Sequence, residues 1–145
     1  MNHYKNALKM TALGLTLAAG QAMAHGNVTP QSVDTKGLEE LGTEWRETNP
    51  YREGHPQHEL AIKVGASAYN QNCAACHGLE GISGGITPDL RYLEVGDYGD
   101  EWFKERVING SVRDGRVYMP KMADFLSQEA LWAIRTWLES VAVEQ

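Results

Sequence analysis

The sequence predicts an all-α protein of about four helices, preceded by an irregular segment. Three observations predict it. Apolar residues recur at helical spacing in two long stretches, one running up to residue 76 and one at the C-terminus. A third stretch, "DEWFKERVING" (100–110), opens on an acidic residue and closes on glycine, the punctuation of a helix. The surroundings of the two cysteines read as helix and loop, with nothing like a βαβ unit. A chain of 145 residues with 42% hydrophobic content suits one globular domain with a packed core.

The first 24 residues are expected to lie outside the fold. Lys5 and Lys9 precede an apolar run, "TALGLTLAAG", that is too short to span a bilayer, and Ala22-Met23-Ala24 has the small-x-small pattern of a cleavage site. Residues 1–24 therefore read as a secretory signal peptide. Its removal takes Lys5 and Lys9 from the 13 basic residues, leaving 11 against 19 acids, a net charge of −8. So acidic a chain is not expected to bind nucleic acid or anionic lipid through bulk charge. No membrane span is expected in the mature chain.

Residues 25–58 hold Pro30, Gly37, Gly42, Pro50, Gly54 and Pro56 and show no period. They read as an extension wrapping the core, anchored by Trp45 and Tyr51, or as an arm that binds a partner. Glu39, Glu40, Glu44 and Glu47 read as a solvated acidic face. His25 would begin the mature chain, and His55 or His58 could join it on copper; a surface terminus is the plainer reading.

From His58 to Cys76 an amphipathic helix is expected, with Ala61, Val64, Gly65, Ala68 and Tyr69 on one stripe and Pro56 just ahead of it. Glycine inside a helix costs about 1 kcal/mol relative to alanine. A close helix crossing at Gly65 would account for it, with Trp137 of the last helix as the natural neighbour of Gly65 and Tyr69.

That first helix leads into "NQNCAACHG" (70–78), which holds both cysteines of the chain. In an oxidising compartment such a pair has four common fates: a structural disulfide, a redox dithiol, a zinc site or covalent c-type haem attachment. Zinc lacks a second cysteine pair. On a helix Cys73, Cys76 and His77 stand at i, i+3 and i+4 and share one face. Two thioether bonds can then hold the haem vinyl groups while the imidazole reaches iron from the same side. This favours haem c, with a haem-free thiol-disulfide oxidoreductase as the alternative.

Beyond the motif, "GLEGISGGI" is glycine-rich but lacks the lysine of a phosphate loop, so it reads as a flexible turn leading to Pro88. A short helical turn is expected at "PDLRYLE". In the 100–110 helix, Asp100 is the expected cap, Gly110 the stop, and Trp102, Phe103 and Val107 the inward face. "DGRVYMPKM" has no helical period and many turn formers, so it should be loop. A second axial ligand would come from Met119 or Met122, the two methionines left after residue 24. A thioether raises the potential, which suits an electron carrier. Pro120 stiffens the backbone after Met119 and favours that residue. The last helix is expected from about Ser127, its N-cap, to Val141, with Leu126 and Leu131 as a hydrophobic staple and Ala130, Ile134, Trp137 and Val141 facing inward.

From about Glu59 onward the chain resembles a class I cytochrome c. The resemblance rests on Gly65 and Tyr69 ahead of "CAACHG", and on "TPDL", "VYMP" and "LSQEALWAIRTWLE". It implies four or so helices around one covalently bound haem c, with the first and last helices crossing at Gly65 and Trp137. It also implies that Cys73 and Cys76 hold the haem, that His77 and Met119 ligate iron, and that the Pro88 carbonyl meets the far nitrogen of His77. "VGASAYNQNCAACHGL" and "SVRDGRVYMP" are most similar to the small periplasmic cytochromes c that accept electrons from pyrroloquinoline quinone (PQQ)-dependent alcohol dehydrogenases.

What this implies is a periplasmic carrier of single electrons, 1–24 being signal peptide, 25–58 extension and 59–145 the mono-haem domain. The donor would be the dehydrogenase and the acceptor a terminal oxidase or another cytochrome. A carrier serving another periplasmic dehydrogenase or oxidase is the related alternative, and a small peroxidase or gas sensor would need an open iron. With both axial positions filled, no enzyme activity is expected. Arg113, Arg116 and Lys121 form a local basic cluster, a candidate rim for an acidic partner, while Arg116 or Arg91 could instead pair a haem propionate.

Overall fold

The computed structural model describes residues 29–144; the expected signal peptide and His25 lie outside them. Four helices carry the architecture: α1 (His58–Asn72), α2 (Ala74–His77), α3 (Asp97–Asn109) and α4 (Gln128–Ser140). Between α3 and α4 lies a two-stranded antiparallel hairpin, β1 (Ser111–Arg113) with β2 (Arg116–Met119).

The crossing of α1 and α4 forms the centre of the core. Ala61, Gly65, Ala68 and Tyr69 are buried on α1, as their spacing predicts, and Val64 beside them is partly buried. At Gly65 the close neighbour is backbone: a Cβ there would collide with the Ala133 carbonyl and come within 2.9 Å of the Trp137 Cβ. One turn on, Tyr69 and Trp137 have ring centroids 4.4 Å apart. Helix α4 is buried on nearly every side, from Ala130 through Leu138. Ser127 caps it by accepting a hydrogen bond from the Ala130 N–H, and Leu126 and Leu131 are both buried, as a staple requires.

Three expectations are corrected. The first helix does not run unbroken to Cys76: it ends at Asn72, and after Cys73 (φ −116°, ψ −35°) α2 starts as a separate turn. Helix α3 begins three residues earlier than expected, after Gly96, so Asp100 is no cap. It is fully buried on the helix flank, where Arg135 Nε donates to it at 2.8 Å. Of the three residues expected inward on α3, Phe103 and Val107 are buried but Trp102 is half-exposed, because Asp100 and Gly99 take that sector of the helix. At "PDLRYLE" the turn is a 3-10 turn, Leu90–Tyr92, capped by the Asp89 carboxylate.

Residues 29–57 cross the core without regular structure, held by side chains of the helices. Leu41 N–H donates to Glu129 Oε1 (2.7 Å), Arg46 N–H to Gln128 Oε1 (2.6 Å) and Gln31 N–H to Asn72 Oδ1 (2.7 Å). Gln128 Nε2 answers by donating to the carbonyls of Gly42 and Glu44. Tyr51 is fully buried and Trp45 packs edge-on against Trp132, so both anchor the segment. Arg52 extends to Asp97, Asp100 and Glu139, tying the segment to α3 and α4 together. Glu39, Glu40, Glu44 and Glu47 are exposed; Glu39 lies 3.4 Å from His55, and Glu47 pairs with Lys104.

Candidate functional site

The turn from Cys73 to His77 is built from local bonds. The N–H groups of Cys76 and His77 both donate to the Cys73 carbonyl, at 3.1 and 2.9 Å. This keeps the two cysteines and the histidine at one-turn spacing although the long helix has ended. Cys76 is exposed and Cys73 partly buried. Burial, and then the neighbouring Cys76, push the Cys73 thiol up to about 12. A thiol raised in this way is a weak nucleophile, so Cys73 is poorly suited to attack a disulfide.

His77 is oriented from behind. Its Nδ1 lies 3.2 Å from the Pro88 carbonyl, the expected partner, which assigns the proton to Nδ1 and leaves Nε2 as a donor atom for a metal. The loop that supplies this carbonyl is clipped to the cysteine turn: Thr87 Oγ1 donates to the Cys76 carbonyl (2.7 Å), and the Ser83 hydroxyl donates to the Thr87 carbonyl. At the other end of the turn, Tyr69 donates its hydroxyl to the Gly78 carbonyl at 2.8 Å. Gly78 itself has φ 78°, and a Cβ there would strike the Ile82 carbonyl. "GLEGISGGI" thus opens on a tight turn at Gly78, and Ser83 and Thr87 tie its far end to the cysteine turn. The Thr87 clip escaped the sequence reading, because a threonine in a loop carries no signal of which carbonyl it will meet.

Met119 ends β2, and here the expected loop is a hairpin. Asp114 (φ 50°) and Gly115 (φ 73°) both have positive φ, the type I′ turn that Asp-Gly favours between paired strands. Met119 is partly buried against the core, whereas Met122 is only 5% exposed and fills it. Gly110, foreseen as the stop of α3, also seats the ligand candidate: a Cβ on it would lie 2.5 Å from the Met119 carbonyl and 3.1 Å from the Pro120 carbonyl carbon. Arg91 is engaged by Asp89 through two side-chain bonds of 3.0 and 2.8 Å, and that ion pair holds the Asp89 carboxyl below its ordinary range.

Residues and chemistry fit a haem. An imidazole nitrogen and a thioether sulfur are a donor set that holds haem iron, and two thiols one turn apart suit its covalent attachment. Large apolar side chains stand exposed on several segments, among them Ile86, Val95, Trp102, Val117 and Phe125. Among the described residues no three or more His, Cys, Asp and Glu are grouped to hold a metal ion by themselves. No helix among them is long and apolar enough to cross a membrane.

A family model described as cytochrome C oxidase, cbb3-type, subunit III matches residues 60–138. Cytochrome c550 of Pseudomonas aeruginosa is 72% identical over 132 residues, which cover 91% of this chain and 90% of that protein. The quinohemoprotein alcohol dehydrogenase ADH-IIG of Pseudomonas putida is 36% identical over 78 residues, 54% of this chain but 10% of that protein. Chloroplastic cytochrome c6 of Chlamydomonas reinhardtii is 35% identical over 85 residues, 57% of this chain and 56% of that protein. No solved structure matches the chain.

Proposed function

Since the chain belongs to the class I cytochromes c, and so carries electrons on a covalently bound haem c rather than acting as an enzyme, we propose that it takes single electrons from a PQQ-dependent alcohol dehydrogenase and passes them to a terminal oxidase or another cytochrome in the periplasm. Haem c supplies a one-electron iron couple. In this reading Cys73 and Cys76 would hold the haem through thioethers, and His77 and Met119 would ligate its iron. The Pro88 carbonyl keeps the proton on His77 Nδ1, which fixes the ring and raises the basicity of Nε2. Thr87 and Ser83 hold that carbonyl in place, and Gly110 seats Met119. Burial of Met122 supports Met119 as the sulfur ligand. With His77 and Met119 both on the iron, no position would remain for a substrate, in keeping with a carrier.

The observation that carries the donor is the match to a quinohemoprotein alcohol dehydrogenase, where a segment like this chain makes up about a tenth of a protein that oxidises alcohols. A free-standing relative of that segment is suited to the same electron transfer between two proteins. Residues 1–24 act as the export signal in this reading, 25–58 as the extension and 59–145 as the haem domain. Mixing the oxidised holoprotein with a PQQ alcohol dehydrogenase and its alcohol, and following haem absorbance, tests the proposal. Reduction that needs both enzyme and alcohol is expected. A haem that stays oxidised with that enzyme overturns the donor assignment.

A further inference from the structure

The hairpin has two chemically different faces. Val112 pairs with Val117 and Arg113 with Arg116. Side chains alternate along a strand, so Val112 and Val117 share one face while Arg113 and Arg116 share the other; a bulge at the Ser111/Val112 step, where Ser111 pairs with Met119, interrupts the alternation at Tyr118. The Arg113 guanidinium lies 5.7 Å from the Tyr118 ring centroid, which places that ring beside the arginines.

The basic face is costly as built. Like charges directly across a ladder destabilise it, and this pair flanks the turn of an exposed hairpin. Arg52, Arg91, Lys104, Arg106 and Arg135 have carboxylate partners; Lys36, Arg46 and Lys63 have none among the described residues, and neither have Arg113, Arg116 and Lys121, which differ in standing together on the hairpin and just after it. The chain has an excess of acids, so partners were available elsewhere. Tyr118 on the same face is 61% exposed, adding an aromatic surface between the charges. We propose that the face formed by Arg113, Arg116 and Tyr118, with Lys121 beside it, docks an acidic surface of the electron-donating dehydrogenase; the identity of that donor rests on the function proposed above. Charge complementarity steers the encounter and sets the association rate, and binding at this face places the donor against the segment that holds Met119.

The test compares two holoprotein variants of equal net charge, Arg113→Glu/Arg116→Glu at the hairpin and Lys36→Glu/Lys63→Glu at exposed positions elsewhere. Reduction by PQQ alcohol dehydrogenase plus alcohol is followed by stopped flow at low and high ionic strength. The hairpin variant is expected to be reduced at least about tenfold more slowly at low ionic strength, with the gap closing in high salt. Its visible spectrum and midpoint potential should stay those of wild type, and the control variant should lose little. Equal slowing of both variants, or none in either, overturns the docking face while leaving the donor in place. A wild type that the dehydrogenase does not reduce at any ionic strength overturns the donor assignment and the docking proposal with it.

Discussion

Arg135 Nε donates to Asp100 Oδ1 at 2.8 Å, and both side chains are fully buried. Around this pair the N-terminal segment is fastened to the helices: the Asn49 N–H and Arg52 both donate to Asp100 Oδ2, and Thr136 donates to Asn49 Oδ1 at 3.1 Å. Arg135 Nη2 donates to the Glu94 carbonyl (2.7 Å) and lies 3.1 Å from Glu139. Removing one partner of a buried pair strands the other charge in the interior, a loss of about 3–5 kcal/mol. Asp100→Ala is expected to lose that much in urea unfolding. Arg52→Ala, whose side chain is 30% exposed, should lose about 1 kcal/mol or less if its ion pairs behave as surface pairs do.

Replacing Gly65 by alanine should destabilise the protein although alanine is the better helix former by about 1 kcal/mol. The new methyl would meet the Ala133 carbonyl, which belongs to the most buried helix and has no room to retreat. Overpacking of this kind costs about 1–3 kcal/mol. A lowered Tm is expected, together with a weakened near-ultraviolet signal from the Tyr69–Trp137 contact. An unchanged Tm would show that the crossing yields.

Acid should loosen the N-terminal segment. Burial works to raise the Glu129 pKa, but the N–H groups of Leu41 and of Glu129 itself, with the Ser127 hydroxyl, outweigh it and hold the group below its ordinary 4.5. A depressed folded-state pKa contributes stability that is present above the unfolded value and is lost as pH falls through the folded one. Asp89, held down chiefly by its bond from Arg91, adds a contribution of the same sign. Unfolding free energy should therefore fall as pH drops below about 4.5. Glu129→Gln should flatten that slope, and an unaltered slope in the variant would remove Glu129 as a cause.

Met119 and Met122 separate ligand from filler. Met119→Ala is expected to abolish the weak sulfur-to-iron band at the red end of the oxidised spectrum, lower the potential and admit exogenous ligands. Met122→Ala should keep all three properties and instead lose about 2–5 kcal/mol of stability through the cavity it leaves. Spectra and unfolding curves of the two variants decide it; the reverse assignment would place the sulfur ligand at Met122.

Much of this was legible in the sequence because it is local or periodic. The Cys73–Cys76–His77 spacing is one turn whether the long helix continues or breaks. Gly65 stands out because a helix interior disfavours glycine, and Ser127 because a cap sits at a boundary. The hairpin was legible too, in Asp114-Gly115 flanked by Val112 and Val117, but reading the segment only as a ligand loop hid it.

The sequence by itself determined the helices, the attachment motif and the two residues that meet at the α1–α4 crossing, since each depends on neighbours within a few positions. Only the tertiary structure decided where Asp100 and Arg135 go, because an acid near a helix start reads as a cap until a buried guanidinium from another helix claims it. It alone decided the course of residues 29–57, whose backbone groups bond to side chains such as Glu129, 88 residues from Leu41. It decided also that Arg113 stands opposite Arg116 and Val112 opposite Val117, since strand register, and not composition, assigns a side chain to a face.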